Sequence, residues 1–241
     1  MIIGAGLTGA TLALALARAG FEVGLHEQAP RFDEIGAGIS LSPNAARALA
    51  WVGVAEDVER IADLPGPGAI LHFRTGELLR TVDREAGFAS GRRRGFMQLR
   101  RCDLLETLTA KIRATPAIRV HLGHRLVSLE PNSSAVTARF DGGVEVSAEL
   151  LVGCDGLRST VRALAFEESP PRYTGQLAWR CMVDSELVSR HLSAGPSAVF
   201  IGPQRFINRY LVQQSRLVNV VAFARSERTG REGWFNRSSY E

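Results

Sequence analysis

After Met1, Ile2 and Ile3 the chain runs Gly4-Ala5-Gly6-Leu7-Thr8-Gly9, and no other stretch constrains the fold as much. G-x-G-x-x-G marks a turn from a β-strand into a helix that cradles a dinucleotide pyrophosphate, provided strand and helix flank it. Only two apolar residues after the initial Met precede Gly4, where a strand usually has about five or six. The residues downstream fit. Residues 10–19 are rich in Ala and Leu, strong helix formers, and Gly20 suits the stop after that helix. Phe21, Val23 and Leu25 then alternate as in a strand. Glu27 closes it, close to the distance of about 20 residues at which the fingerprint places an acid for ribose hydroxyls. Each glycine serves a physical purpose. Gly4 permits the tight turn, Gly6 lets the backbone approach a pyrophosphate, and Gly9 lets the helix pack closely on the strand. The helix start adds free N–H groups and a positive dipole end.

Composition narrows the remaining classes. Hydrophobic residues make up 45% of the 241, enough for a buried core. No apolar run reaches the roughly 18 residues of a membrane helix, and no Lys or Arg precedes the first apolar stretch, so neither a membrane span nor a signal peptide is expected. Cys102, Cys154 and Cys181 are odd in number and far apart, giving no disulfide framework and no metal spacing. A reducing, cytoplasmic setting is the simplest expectation. Net charge is +4, with its sharpest cluster at Arg92-Arg93-Arg94 and Arg100-Arg101. Without a nucleic-acid motif or interleaved aromatic residues, that cluster reads as a solvated basic loop.

Further along, residues 31–40 hold Gly36 and Gly38 in an excursion unlike the helix and third strand of a plain NAD domain. Such loops let backbone approach a flat ligand. Ser42-Pro43 reads as an N-cap followed by Pro, opening a helix to about Trp51. Strands are expected at 69–74 and 78–82 around a turn at Thr75-Gly76. Asp103 with Glu106 resembles a capping box for a helix whose apolar face is Leu104, Leu105, Leu108 and Ile112. Strands at 125–130, 135–140 and 144–148, with a hairpin signal at Asp141-Gly142, make an antiparallel meander. Residues 150–153 read as a buried strand that ends in a junction to a helix at 154–162. From about Tyr173 a second sheet is expected, with strands at 176–183, 198–201, 206–212 and 217–224. The polar 225–241 reads as irregular or helical.

Four stretches together resemble the class A flavoprotein monooxygenases, the aromatic-ring hydroxylases, in their salicylate-hydroxylase-like branch. They are the glycine loop with Glu27, then Glu34-Ile35-Gly36-Ala37-Gly38-Ile39 with Leu41-Ser42-Pro43-Asn44-Ala45, then Arg100-Arg101-Cys102-Asp103-Leu104, then Gly153-Cys154-Asp155-Gly156-Leu157-Arg158-Ser159. The resemblance implies an α/β fold: a Rossmann-like FAD-binding domain with an antiparallel meander at 1–172, and part of a mixed-sheet substrate domain at 173–241. Residues 65–100 would contribute to the substrate side. It implies FAD on Gly4, Ala5, Gly6, Leu7, Thr8 and Gly9. Glu27 would meet the adenosine ribose, Gly38 and Arg101 the flavin nucleotide, and Val127 the adenine through its backbone. Asp155 would serve FAD and NAD(P)H, or cap the following helix. It implies hydroxylation of a small aromatic substrate, an aromatic acid suiting a basic site, by NAD(P)H and dioxygen through a flavin C4a-hydroperoxide. Other oxidoreductases on the same scaffold, an epoxidase among them, remain alternatives, as does a non-catalytic flavin-binding remnant.

Arg180 and Tyr210 are the candidate catalytic residues. Relatives often carry His-x-x-x-Tyr-Pro in a late strand; here those positions are Phe206, Tyr210 and Leu211. Phe206 cannot take a proton from a phenol, which counts against a hydroxybenzoate-type substrate. No constellation gives a role to His26, His72, His121, His124 or His191. The family's later Gly-Asp motif is missing, so the chain reads as a truncated member. No nucleic-acid partner, membrane or metal is expected.

Overall fold

The structure is a computed structural model that describes residues 1–32, 37–82, 95–166, 171–192 and 194–226. The sequence expectations for residues 33–36, for Arg92-Arg93-Arg94 and for the chain after Ser226 lie outside the described residues.

Four parallel strands form the first sheet, in the order β11 (Val152–Gly153), β1 (Ile2–Ile3), β2 (Val23–Glu27), β7 (Ile118–Leu122). The two residues of β1 suffice because both sides are paired, and Gly4 N–H extends the ladder by donating to His26 O at 2.8 Å. Ile2 is wholly buried and Ile3 nearly so, as a central parallel strand requires. Helix α1 (Leu7–Arg18) begins inside the glycine motif, earlier than residue 10, so that its first turn belongs to the loop. Phe21 lies outside β2 and is exposed.

Helices α2 (Pro43–Trp51) and α3 (Ala55–Ile61) join α1 and α4 (Arg101–Arg113) in the main core. Ser42 caps α2, its hydroxyl accepting from Ala45 N–H at 3.4 Å with Pro43 next in line. The expected capping box at Asp103 is not formed. Antiparallel strands β3 (Gly38–Leu41) and β6 (Met97–Arg100) pair, and β6 passes into α4 without a loop. Arg100 is therefore the N-cap, and Asp103, inside the first turn, is held by its guanidinium through Nε at 2.8 Å and Nη2 at 2.6 Å.

Strands β8 (Leu126–Pro131), β9 (Val136–Phe140) and β10 (Glu145–Ala148) form the antiparallel meander, with its own core of Ile3, Leu126, Ala138, Phe140 and Val161. Gly142 and Gly143 both have positive φ in the β9–β10 turn. The expected strand at 150–153 shrinks to β11, and Leu150 is exposed: pairing with the short β1 covers only two residues. Helix α5 (Thr160–Ala165) follows.

The remaining sheet has six strands in the order β12 (Gln176–Asp184), β15 (Leu217–Arg225), β14 (Arg205–Val212), β13 (Ser197–Gly202), β4 (Gly68–His72), β5 (Leu78–Val82). All pairs are antiparallel except β4 with β13, so the sheet is mixed. Strand β6 packs against β14, which brings the β3–β6 ladder onto one face of this sheet. Among the described residues no helix is long and apolar enough to cross a membrane.

Candidate nucleotide site and the adjoining sheet face

The three glycines of the loop separate into two kinds. Gly4 has φ +97°, and a Cβ there would lie 2.5 Å from Cys154 O. A Cβ on Gly9 would lie 1.8 Å from Gly4 O, so α1 could not sit on β1. The protein's own packing fixes both. Gly6 differs: its φ of −67° and ψ of −174° suit any residue, and among the described residues a Cβ there meets nothing within 4 Å. It is the N-cap of α1, and no side chain among the described residues caps that end. The uncapped N–H groups and positive dipole end of α1 therefore adjoin open space, the arrangement that accepts an anion.

Glu27 clamps the loop. One carboxylate oxygen accepts from Ala5 N–H at 2.8 Å, the other from Ala29 N–H at 2.9 Å. Each oxygen keeps a lone pair for another donor. Asp155 backs Gly4 from β11's end, with Cα 2.8 Å from where a Gly4 Cβ would be. Its carboxylate accepts from Ser159 Oγ–H at 2.6 Å and Val161 N–H at 3.0 Å, and Ser159, the N-cap of α5, accepts from Arg162 N–H at 3.0 Å. Asp155 therefore braces the cap. Burial pushes the Cys154 thiol up, and the Asp155 charge pushes it the same way. Gly4, Ala5, Gly9, Glu27 and Asp155 are thus one contiguous unit, and Leu7 and Thr8 make the first turn of α1 beside it. Val127 belongs to the meander. Leu126 pairs with Phe140 and Ser128 with Arg139, so Val127 is the extra residue of a bulge, exposed and unpaired in the ladder.

A second group forms where β3 and α4 meet the six-stranded sheet. Gly38 N–H donates to Asn219 Oδ1 at 2.8 Å, and a Cβ on Gly38 would fall 2.6 Å from Asn219 Cγ and 2.7 Å from the Tyr210 hydroxyl. Gly38 is therefore required by its packing on Tyr210 and Asn219, which face each other across β14 and β15. Arg101, the first residue of α4, donates its N–H to Ala37 O at 2.8 Å, beside Gly38. Tyr210 is buried, and that burial raises its pKa. A hydrogen bond with Ser40 and the charges of Arg180 and Arg101 pull it back down. Both candidate catalytic residues thus belong to one electrostatic group with Arg101. Phe206 stacks on Phe223 across the ladder, centroids 4.4 Å apart and planes at 21°. Asn219, missed in the sequence reading, was signalled by a lone amide inside Leu217-Val218-Asn219-Val220-Val221.

Residues 1–174, which contain the whole glycine-loop unit, match the FAD binding domain family. The chain belongs to that family. This member is 31% identical over 230 residues to 3-hydroxybenzoate 6-hydroxylase of Klebsiella oxytoca, covering 92% of this chain and 55% of that enzyme. It is 30% identical over 251 residues to salicylate hydroxylase of Pseudomonas putida, covering 97% of this chain and 56% of that one. The chain therefore spans about half the length of the curated relatives it matches. Klebsiella pneumoniae HpxO, solved with FAD and uric acid, superimposes with a TM-score of 0.80 at 24% identity over 96% of this chain and 57% of that one, a likeness of fold. The dinucleotide fingerprint of this FAD binding domain thus stands in a flavin-nucleotide fold, with the Rossmann-like sheet, meander and mixed sheet expected from sequence.

Proposed function

We propose that this chain supplies the FAD-binding unit and one substrate wall of an FAD-dependent monooxygenase acting on a small aromatic compound with NAD(P)H and dioxygen. The observation that carries the reading is the glycine loop: Gly4 and Gly9 are demanded by the fold, whereas the bare Gly6 faces open space at an uncapped helix end. A pyrophosphate fits that cradle in charge and in room.

In this reading Ala5, Gly6, Leu7 and Thr8 surround the pyrophosphate, and Glu27 uses its free lone pairs for ribose hydroxyls while holding the loop. Asp155 keeps Gly4 and the start of α5 in place on the same side. Val127 offers unpaired bulge backbone to the adenine, and Arg101 and Gly38 stand toward the flavin end. Bound FAD would supply the redox chemistry linking NAD(P)H, dioxygen and substrate. This chain's residues do the positioning. Tyr210 and Arg180 lie on one face of the mixed sheet by register, with Val221 and Phe223 between and beside them to keep water from an aromatic ring. The Arg180 charge favours a substrate with an anionic substituent such as a carboxylate. Phe206, stacked on Phe223, leaves phenol deprotonation without a base at that position. The relatives named for 3-hydroxybenzoate and salicylate chemistry support the aromatic class.

The test is an absorbance spectrum of the purified chain after loading with FAD and desalting, before and after NADPH, with and without an aromatic acid. Retained flavin that is bleached faster when the acid is present supports the reading. Flavin lost on desalting, at a concentration where the chain is folded, contradicts it.

A further inference from the structure

Three imidazoles meet where the parallel sheet adjoins the meander. His26 comes from β2, His121 from the register position beside it on β7, and His124 from the turn after β7. His26 is wholly buried. Its ring stacks on His121, centroids 4.6 Å apart and planes at 14°, and on Phe140 of β9, at 4.6 Å and 10°. The His124 centroid lies 5.3 Å from His26, 5.2 Å from His121 and 5.0 Å from Phe140. The Nδ1 atoms of His26 and His124 are 3.2 Å apart. Such a contact is a hydrogen bond only if one nitrogen is protonated and the other bare, so at least one ring must be neutral. His26 Nε2 is buried without a partner among the described residues, close against Gly24.

The cluster is also a joint. His124 N–H donates to Glu27 O at 2.8 Å, and Gly123 N–H to Ala29 O at 3.0 Å. These bonds tie the β7–β8 turn to the end of β2 that carries Glu27, while Phe140 brings in the meander core. Among the described residues, the charged groups that act on the His26 and His121 rings are cationic. His26 faces His121, His124 and the Met1 amino group; His121 faces His124 and Arg119, and Arg119 has Glu22 at 3.9 Å on its far side. Among the described residues, no carboxylate shifts either ring.

We propose that His26, His121 and His124 form an acid-sensitive latch: proton uptake by the cluster releases the β7–β8 turn and the meander from the end of β2, and so loosens the nucleotide site. The last step rests on the reading of Glu27 given under Proposed function; the opening itself does not.

The direction follows from the surroundings. Burial first, then His121, His124 and the Met1 amino group, lower the His26 pKa from 6.5 to about 4. Burial, then His124 and Arg119, lower His121. A released ring titrates near its ordinary value. The open form therefore binds protons more readily, so closure is fully favoured above about pH 6.5 and is lost progressively as pH falls toward about 4. For His26 alone the equilibrium moves about 30-fold toward the open form between roughly pH 7.5 and pH 5.

Native-state hydrogen exchange at the His124 amide, corrected for its intrinsic pH dependence, reads the opening directly. The unaltered chain should show a rise of about 30-fold or more over that interval, and His26→Phe, which keeps only the His121 contribution, a clearly smaller one. The Phe ring keeps the stack on Phe140 without a titrating nitrogen. No rise in the unaltered chain, or an equal rise in the variant, overturns the latch. Should the variant fail to fold, NMR titration of the His26 ring in the unaltered chain decides: a midpoint near 4 supports the latch, and one near 6.5 overturns it. FAD affinity at the same two pH values tests the last step. A parallel loss supports coupling to the nucleotide site, and unchanged affinity with raised exchange overturns that coupling while leaving the latch intact.

Discussion

Glu27 and Ala5 are joined by a 2.8 Å hydrogen bond from backbone N–H to carboxylate, and through it the end of β2 holds the glycine loop that β1 leads into. The same carboxylate accepts from Ala29 N–H. Glu27→Gln keeps one acceptor but turns an NH₂ toward one of these two backbone donors. Loss of a charge-assisted bond and an unpaired donor should cost about 1.5–3 kcal/mol. Thermal melting of the unliganded variant checks this; an unchanged midpoint would mean that the clamp carries no load.

Gly9→Ala should be among the most damaging single changes in the chain. Its Cβ would overlap Gly4 O, a backbone atom of the strand-to-helix turn that cannot move aside without separating α1 from β1. A loss of roughly 3 kcal/mol or more is expected, at the upper end of overpacking effects. Denaturant unfolding measures it, and a loss under about 1 kcal/mol would show that the helix can shift freely.

Asn219→Ala removes the acceptor of the Gly38 N–H and opens space beneath Tyr210. The unpaired donor alone should cost about 1–3 kcal/mol. Asn219→Asp restores an acceptor, so it should recover part of the loss. Equal melting of both variants with the parent would remove this bond from the forces that seat β3 on the mixed sheet.

Arg209 lies on the far face of the mixed sheet, beside a cavity of about 240 Å³ walled by Val183, Val188, Leu192, Phe200 and Val220. Its Nη1–H donates to Gly195 O at 2.9 Å, but Nε and Nη2 are buried with no acceptor among the described residues, and burial lowers its pKa. A buried cation so poorly paired opposes folding. Arg209→Met should stabilise the chain by about 1–4 kcal/mol. A fall in the melting midpoint would mean that the guanidinium is satisfied in solution.

What the sequence disclosed was local. The glycine loop, Ser42-Pro43 and Asp141-Gly142 each encode a turn or a cap within a few residues, and each stands where it was expected. Strand alternation located β12 to β15 to within a residue or two for the same reason. Besides the short helix α3, the elements that escaped notice depend on distant partners. β3 and β6 stabilise each other across more than fifty residues of sequence, and the parallel pairing of β4 with β13 has no turn to announce it. The histidine cluster is the extreme case. His26 meets His121 only because β2 and β7 run side by side in register, so no linear spacing marks it. Asp103 misled in the other direction: its pattern fits an N-cap, but the strand entering the helix directly made Arg100 the cap.

The open side of Gly6 is the proposed seat of the FAD pyrophosphate, and Gly6→Val probes that placement. The backbone there suits valine, and its Cβ meets no atom of the described residues within 4 Å, so the fold should lose no more than about 0.5 kcal/mol. The branched side chain would stand where the phosphates must approach. FAD titration by fluorescence quenching, on parent and variant with matched melting midpoints, gives the comparison. A loss of affinity of at least about 30-fold, near 2 kcal/mol, is expected in the variant. Equal affinity in two equally stable proteins would place the nucleotide elsewhere and contradict that placement.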